Sequence, residues 1–159
     1  MGAPSDPVFT TIVVSSGGTY CAFYDRNLPR GVSDVYPAEQ RYYVTPSDPA
    51  VIAAAGNKSW SDILNWVSAQ ITYNYSCNIW QFPNETLALG SGQCREFSTL
   101  CVSMLLARGY TSYVVTGNVT ETSGLGTTAL GGHAWVVLQL NGTVYYFEPQ
   151  LSWANQPSP

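Results

Sequence analysis

The sequence predicts an α+β fold in which helices precede a run of antiparallel strands. Three observations carry the prediction. Apolar residues recur at helical spacing between residues 48 and 71, and again between 94 and 108. Longer segments of strand character follow, from Tyr110 to Glu148. Two of these are separated by Asn141-Gly142, a strong short-range signal for a two-residue hairpin. At 159 residues the chain has the size of one domain. Residues 46–150 are expected to form its core, with 1–45 as an irregular extension.

The elements are predicted in order as follows. Val8 to Val14 and Tyr20 to Tyr24 read as strands around a Gly17-Gly18 turn. Residues 25–41, with Pro29, Gly31 and Pro37, read as loop. Asp48-Pro49 is an N-cap followed by proline at the first helical position, so Ala50 to Ala55 forms a short helix that Gly56 stops. Ser59 caps a second helix, with Asp62 three residues on, and Trp60, Ile63, Leu64, Val67 and Ile71 form its buried stripe. Tyr73 to Leu89 reads as an aromatic-rich loop with one helical turn at 83–86. The longest helix runs from Cys94 to Arg108, with Phe97, Leu100, Cys101, Met104 and Leu105 on its core side and Gly109 ending it. Tyr110 to Val119 is a strand, residues 120–132 a Thr/Gly-rich loop, and His133 to Leu140 and Thr143 to Glu148 the two arms of the hairpin.

Composition excludes several functions. Hydrophobic residues make up 45% and aromatics 13%, sufficient for a core without metal or disulfide staples. The net charge is −4 and Lys58 is the only lysine, so neither a nucleic-acid footprint nor a polybasic membrane patch is expected. No apolar stretch reaches bilayer length. Met1 to Pro7 lacks the basic and apolar regions of a signal peptide and reads as a cut or appended end. Five of nine asparagines, Asn57, Asn74, Asn84, Asn118 and Asn141, lie in N-x-[ST] sequons, against about two expected by chance. That excess favours an exported or surface-facing protein that can be glycosylated. Oligomeric state is not encoded in any pattern found.

Four cysteines are present: Cys21, Cys77, Cys94 and Cys101. Cys94 and Cys101 stand seven residues apart on one helix, ~10.5 Å along its axis, too far for a disulfide or for exchange chemistry between them. Cys21–Cys77 is the pairing to test in an oxidising compartment. No Cys/His spacing fits zinc, no carboxylate cluster fits calcium, and no cofactor is implied.

Cys94 is the first residue suited to chemistry. It begins a helix after Gly90-Ser91-Gly92-Gln93, where helix N–H groups can stabilise a thiolate and an oxyanion. A small buried cysteine at a helix start is the plainer alternative. His133 is the only histidine, so any Cys–His chemistry must use it. The Asn141-Gly142 turn sets Glu148 opposite Trp135 and Gln150 opposite His133. His133 and Glu148 then share one face as diagonal neighbours. A carboxylate there can hold the imidazole in one tautomer. Gln150 is the fallback orienter. Glu96 reads as an exposed acid of the first helical turn.

Four segments resemble the transglutaminase-like superfamily, related to papain: Trp80-Gln81-Phe82-Pro83-Asn84-Glu85-Thr86-Leu87, Gly90 through Leu100, Gly132-His133-Ala134-Trp135-Val136, and Tyr145-Tyr146-Phe147-Glu148-Pro149. The likeness spans about Trp60 to Pro149, over half the chain. It implies helices that carry a nucleophile, packed on an antiparallel sheet that supplies a histidine and an acid. Carried over, Cys94 is the nucleophile, His133 the base and acid, and Glu148 the orienter. Gln93, Trp80, Trp135 and Gly132 surround them as oxyanion or substrate-binding residues. Two departures stand out: family members often have aspartate where this chain has Gln93, and aspartate more often than glutamate at the position of Glu148. The implied activity is amide hydrolysis or acyl transfer through a thioester, on peptide, protein or cell-wall peptide. The rival is a binding or structural module that kept the fold without the chemistry.

Overall fold

A computed structural model of the chain describes residues 9–14, 20–24, 43–73, 80–123, 126–150 and 153–155. Strands β1 (Phe9–Val14) and β2 (Tyr20–Tyr24) form an antiparallel pair, as their sequence predicts. Helices α1 (Pro49–Ala55) and α2 (Trp60–Gln70) start at the expected caps. Asp48 Oδ1 accepts the Ala50 N–H at 2.9 Å, and Ser59 Oγ accepts that of Asp62 at 3.2 Å. Each satisfies a donor that the helix itself cannot. Asp48→Ala is expected to lower the unfolding free energy by about 1 kcal/mol, read from a chemical denaturation midpoint at unchanged m-value.

The region between α2 and the central helix is more ordered than its composition indicates. Two-residue strands β3 (Thr72–Tyr73) and β4 (Ser91–Gly92) pair in parallel. Between them α3 (Pro83–Leu89) makes two turns instead of the single turn expected at 83–86. Glu85 Oε1 accepts the Phe82 N–H at 2.7 Å, a side-chain cap that the aromatic composition hides. Asn84, in the first turn of α3, is only 3% exposed, so its sequon is sealed in the folded chain. Asn57 and Asn141 are exposed. Asn74, the side chain of Asn118, and the Cys21–Cys77 pairing lie outside the described residues.

Helix α4 (Cys94–Ala107) is the axis of the core. Its predicted apolar side, Phe97, Leu100, Cys101, Met104 and Leu105, is fully buried. The opposite side is buried too, because α1, α2, α3, β5 and β6 all pack against this helix. Among the polar residues this encloses, Ser103 Oγ donates to the Thr99 carbonyl at 2.6 Å and accepts the Thr45 N–H at 2.9 Å.

The sheet runs β5 (Thr111–Ser123), β6 (Gly126–Leu140), β7 (Thr143–Glu148), β8 (Trp153–Asn155) in that order, all antiparallel. Val136, Leu138 and Phe147 point into the core, and Trp60 of α2 lies 5.4 Å from the Phe147 ring. The hairpin turn is as predicted. Asn141 and Gly142 both have positive φ, at 51° and 80°, the backbone of a type I′ turn. One expectation is corrected: residues 120–132 are not a loop, and β5 and β6 extend through most of them, with a register shift at Val119/Thr120. The β-branched threonines there favour strand, and Gly126, Gly131 and Gly132 sit within it. His133 consequently lies inside β6 and does not open it.

Candidate active site

Cys94 is the first residue of α4 and Gln93 its N-cap. The start of a helix leaves its leading N–H groups without intrahelical acceptors, and the amide of Cys94 is one of these. The approach to this point is shaped by two glycines, for different reasons. Gly90 ends α3 with φ 68°, a left-handed backbone that favours glycine. Gly92 has no room for a side chain, since a Cβ there would stand 2.5 Å from the Cβ of Glu96.

Glu96 corrects the expectation of an exposed helix acid. It is 1% exposed. Its Oε2 accepts the Gln93 N–H at 2.9 Å, and its Oε1 accepts the Gln81 N–H at 3.3 Å and Arg95 Nε–H at 2.7 Å. Burial pushes its carboxyl above the ordinary range, against the opposing pull of the Arg95 guanidinium and the two backbone donors. The signal that could have found it is its place three residues after the N-cap, where a carboxylate reaches back to the cap's N–H.

His133 meets Glu148 as the hairpin register requires. Its Nε2 lies 2.9 and 3.0 Å from the two carboxylate oxygens, which can only accept when ionised. Donation from Nε2 leaves Nδ1 as the acceptor of the neutral ring. The paired residues from Val136↔Phe147 to Leu140↔Thr143 continue the predicted alignment. Trp135 stacks beside His133, with ring centroids 5.9 Å apart at 24°. Gly117 is the cross-strand partner of His133, and a Cβ on it would come within 3.2 Å of the Trp135 ring. The absence of a side chain at 117 therefore leaves room for the Trp135 ring.

A cleft of about 360 Å³ joins these elements, lined by Trp80, Gln93, Cys94, Arg95, Gly132 and His133 among others. Of the residues the sequence singled out, Cys94, His133, Gln93, Trp80 and Gly132 share this cleft, and Glu148 stands behind His133. Trp135 is beside His133 but not in the cleft lining. Glu148 takes the place on His133 Nε2 for which Gln150 is the fallback, and the Gln150 backbone carbonyl accepts the Ser68 hydroxyl at 3.4 Å. Arg95, which sequence reasoning passed over, lies with its guanidinium carbon 5.4 Å from the Trp80 ring centre. Among the described residues, no hydrogen bond joins Cys94 Sγ to His133.

Cys94 and Cys101 are both free thiols, and their environments differ. Cys101 is fully buried, and burial pushes its thiol from 9.0 up to about 12. Because the folded value is raised, its contribution to stability is whole below pH 9.0 and is lost as pH climbs towards about 12. Native protein treated with iodoacetamide at about pH 8 is expected to carry label on Cys94 and none on Cys101, read by peptide mass mapping. Label on Cys101 under native conditions would contradict this packing.

The sequence model of the transglutaminase-like superfamily core matches residues 52–154. A search of curated protein sequences finds no match. Among solved structures, the fold is similar to that of a candidate cysteine protease from Cytophaga hutchinsonii, with a TM-score of 0.55 and 16% identity over 73% of this chain and 40% of that one. It is also similar to the periplasmic domain of TgpA from Pseudomonas aeruginosa, solved with ethylmercury, with a TM-score of 0.52 and 16% identity over 65% of this chain and 44% of that one. The chain thus spans less than half the length of either structure.

Proposed function

The chain belongs to the transglutaminase-like superfamily, and on that premise we propose that it cleaves or transfers amide bonds through a thioester on Cys94. The observation that carries this reading is the Glu148 carboxylate on His133 Nε2, with His133 and Cys94 on the walls of one cleft. Glu148 holds the ring with Nδ1 unprotonated, and Nδ1 accepts the Cys94 thiol proton. The sulfur attacks the amide carbonyl, forming the C–S bond. The N–H of Cys94 at the helix start bonds the resulting oxyanion. The imidazolium then gives its proton to the leaving nitrogen, the C–N bond breaks, and a thioester remains. Water, activated by the same imidazole, releases the acid; an amine in place of water would complete acyl transfer. Cys94 Sγ must close on Nδ1 in the substrate complex, as catalytic contacts that are loose in a free enzyme tighten on binding.

Hydrolysis is favoured over transfer because water needs no dedicated acceptor site. The substrate is a peptide, protein or wall-peptide amide, entering an open cleft whose walls are aromatic and polar. Exposed sequons at Asn57 and Asn141 support an exported setting, and no described helix is long and apolar enough to cross a membrane. The test is covalent capture. The protein is incubated with a panel of peptide and isopeptide fluoromethyl ketones and analysed intact by mass spectrometry. A single adduct mapped to Cys94 supports the reading. Absence of any adduct, with iodoacetamide reaching Cys94 no faster than a denatured control, would identify a module that kept the fold and not the chemistry.

A further inference from the structure

Glu96 is a buried carboxylate that touches both the start of the Cys94 helix and the chain segment of the facing cleft wall, and the mechanism above does not use it. Its Oε2 holds the N–H of Gln93, the residue before Cys94. Its Oε1 holds the N–H of Gln81, the residue after Trp80, and the Nε–H of Arg95, whose guanidinium lies over the Trp80 ring. Its methylene carbons fill the place where any side chain at residue 92 would sit. A first-turn cap would need only the Gln93 contact. The bond to the Gln81 N–H reaches a segment fifteen residues away in sequence.

We propose that Glu96 is a positioning residue for the Cys94 reaction: it ties the loop before the nucleophile to the Trp80–Arg95 wall, so that cleft width and the aim of the Cys94 amide are set together. This rests on the function proposed above. The carboxylate is suited to the task because it accepts from three donors at once, which a neutral amide with a single oxygen does not. Charge-assisted bonds are also the stronger and more directional kind. Small displacements of a reacting group cost much in rate even where the fold survives.

The test uses Glu96→Gln and Arg95→Ala in the whole chain, each first checked for a cooperative thermal transition. Glu96→Gln keeps side-chain length and loses acceptors. On an amide substrate that the wild type turns over, it is expected to lower kcat at least about tenfold with KM within about twofold. It should also change the iodoacetamide rate at Cys94 at least threefold. If Glu96→Gln fails to fold, Arg95→Ala carries the test, since it removes one donor and leaves the two backbone bonds in place. A smaller change in the Cys94 alkylation rate, about twofold or more, is then expected.

Folded variants with wild-type kcat and wild-type alkylation would overturn the positioning role while leaving the proposed function standing. A wild type inert to every amide, with alkylation at Cys94 still altered by Glu96→Gln, would overturn the function and leave Glu96 as the residue that positions this cysteine.

Discussion

Replacing Cys94 with alanine is expected to abolish amide cleavage, lowering turnover on the order of 10⁴-fold or more, while the protein stays folded. The reasoning is chemical. No other described side chain in the cleft is a comparable nucleophile: Thr116 is an unactivated hydroxyl, and Cys101 is buried on the core side of α4. Without a sulfur no thioester forms, and His133 has no proton to take. The structural cost is small because Cys94 is only half-buried at the first position of α4, where alanine is a good helix former. A change of under about 1 kcal/mol in unfolding free energy is expected. The check is paired: initial rates on the best substrate, and a denaturation curve for each protein. Residual activity above a tenth of wild type would remove Cys94 from the mechanism.

Glu148→Ala is expected to produce the second-largest effect, a fall in kcat on the order of 10²- to 10⁴-fold. The carboxylate bonds Nε2 through both oxygens. Removing it frees the ring to rotate, permits the tautomer with the proton on Nδ1, and withdraws the counter-charge to the imidazolium. Glu148→Gln separates these contributions. Its amide oxygen can still accept from Nε2–H and hold the tautomer, but it supplies no negative charge. It should therefore fall between wild type and alanine. KM is expected to change little in either variant, since Glu148 stands behind His133 and outside the cleft lining. His133 keeps its stacking on Trp135 in both, so a drop in Tm beyond a few degrees would point to a structural role for the acid.

Much of this site was legible in one dimension because the interactions that build it are local. Asp48 and Ser59 cap the helices that follow them, through bonds spanning two or three residues. Asn141-Gly142 adopts positive φ at both positions, which forces the alignment of β6 with β7 and thereby the meeting of His133 and Glu148, fifteen residues apart. The apolar spacing of α4 identified a side that is fully buried. Each of these follows from backbone sterics and hydrogen-bond periodicity within a short stretch of chain.

Other features depend on what packs from elsewhere. Glu96 reads as a surface acid until the 80–82 segment, Arg95 and the Gly92 backbone close over it. Asn84 reads as an accessible sequon until α3 is set against the core. Gly126, Gly131 and Gly132 signal a loop until β5 and β6 pair through them. That Cys94 and His133, thirty-nine positions apart, line one cleft is likewise a property of how α4 lies on the sheet. The sequence by itself determined the local elements, the hairpin register and the pairing of the imidazole with its acid, because turn geometry and helix caps act over a few residues. Only the tertiary structure decided burial and the shape of the cleft, because both are set by surfaces that distant segments present to one another.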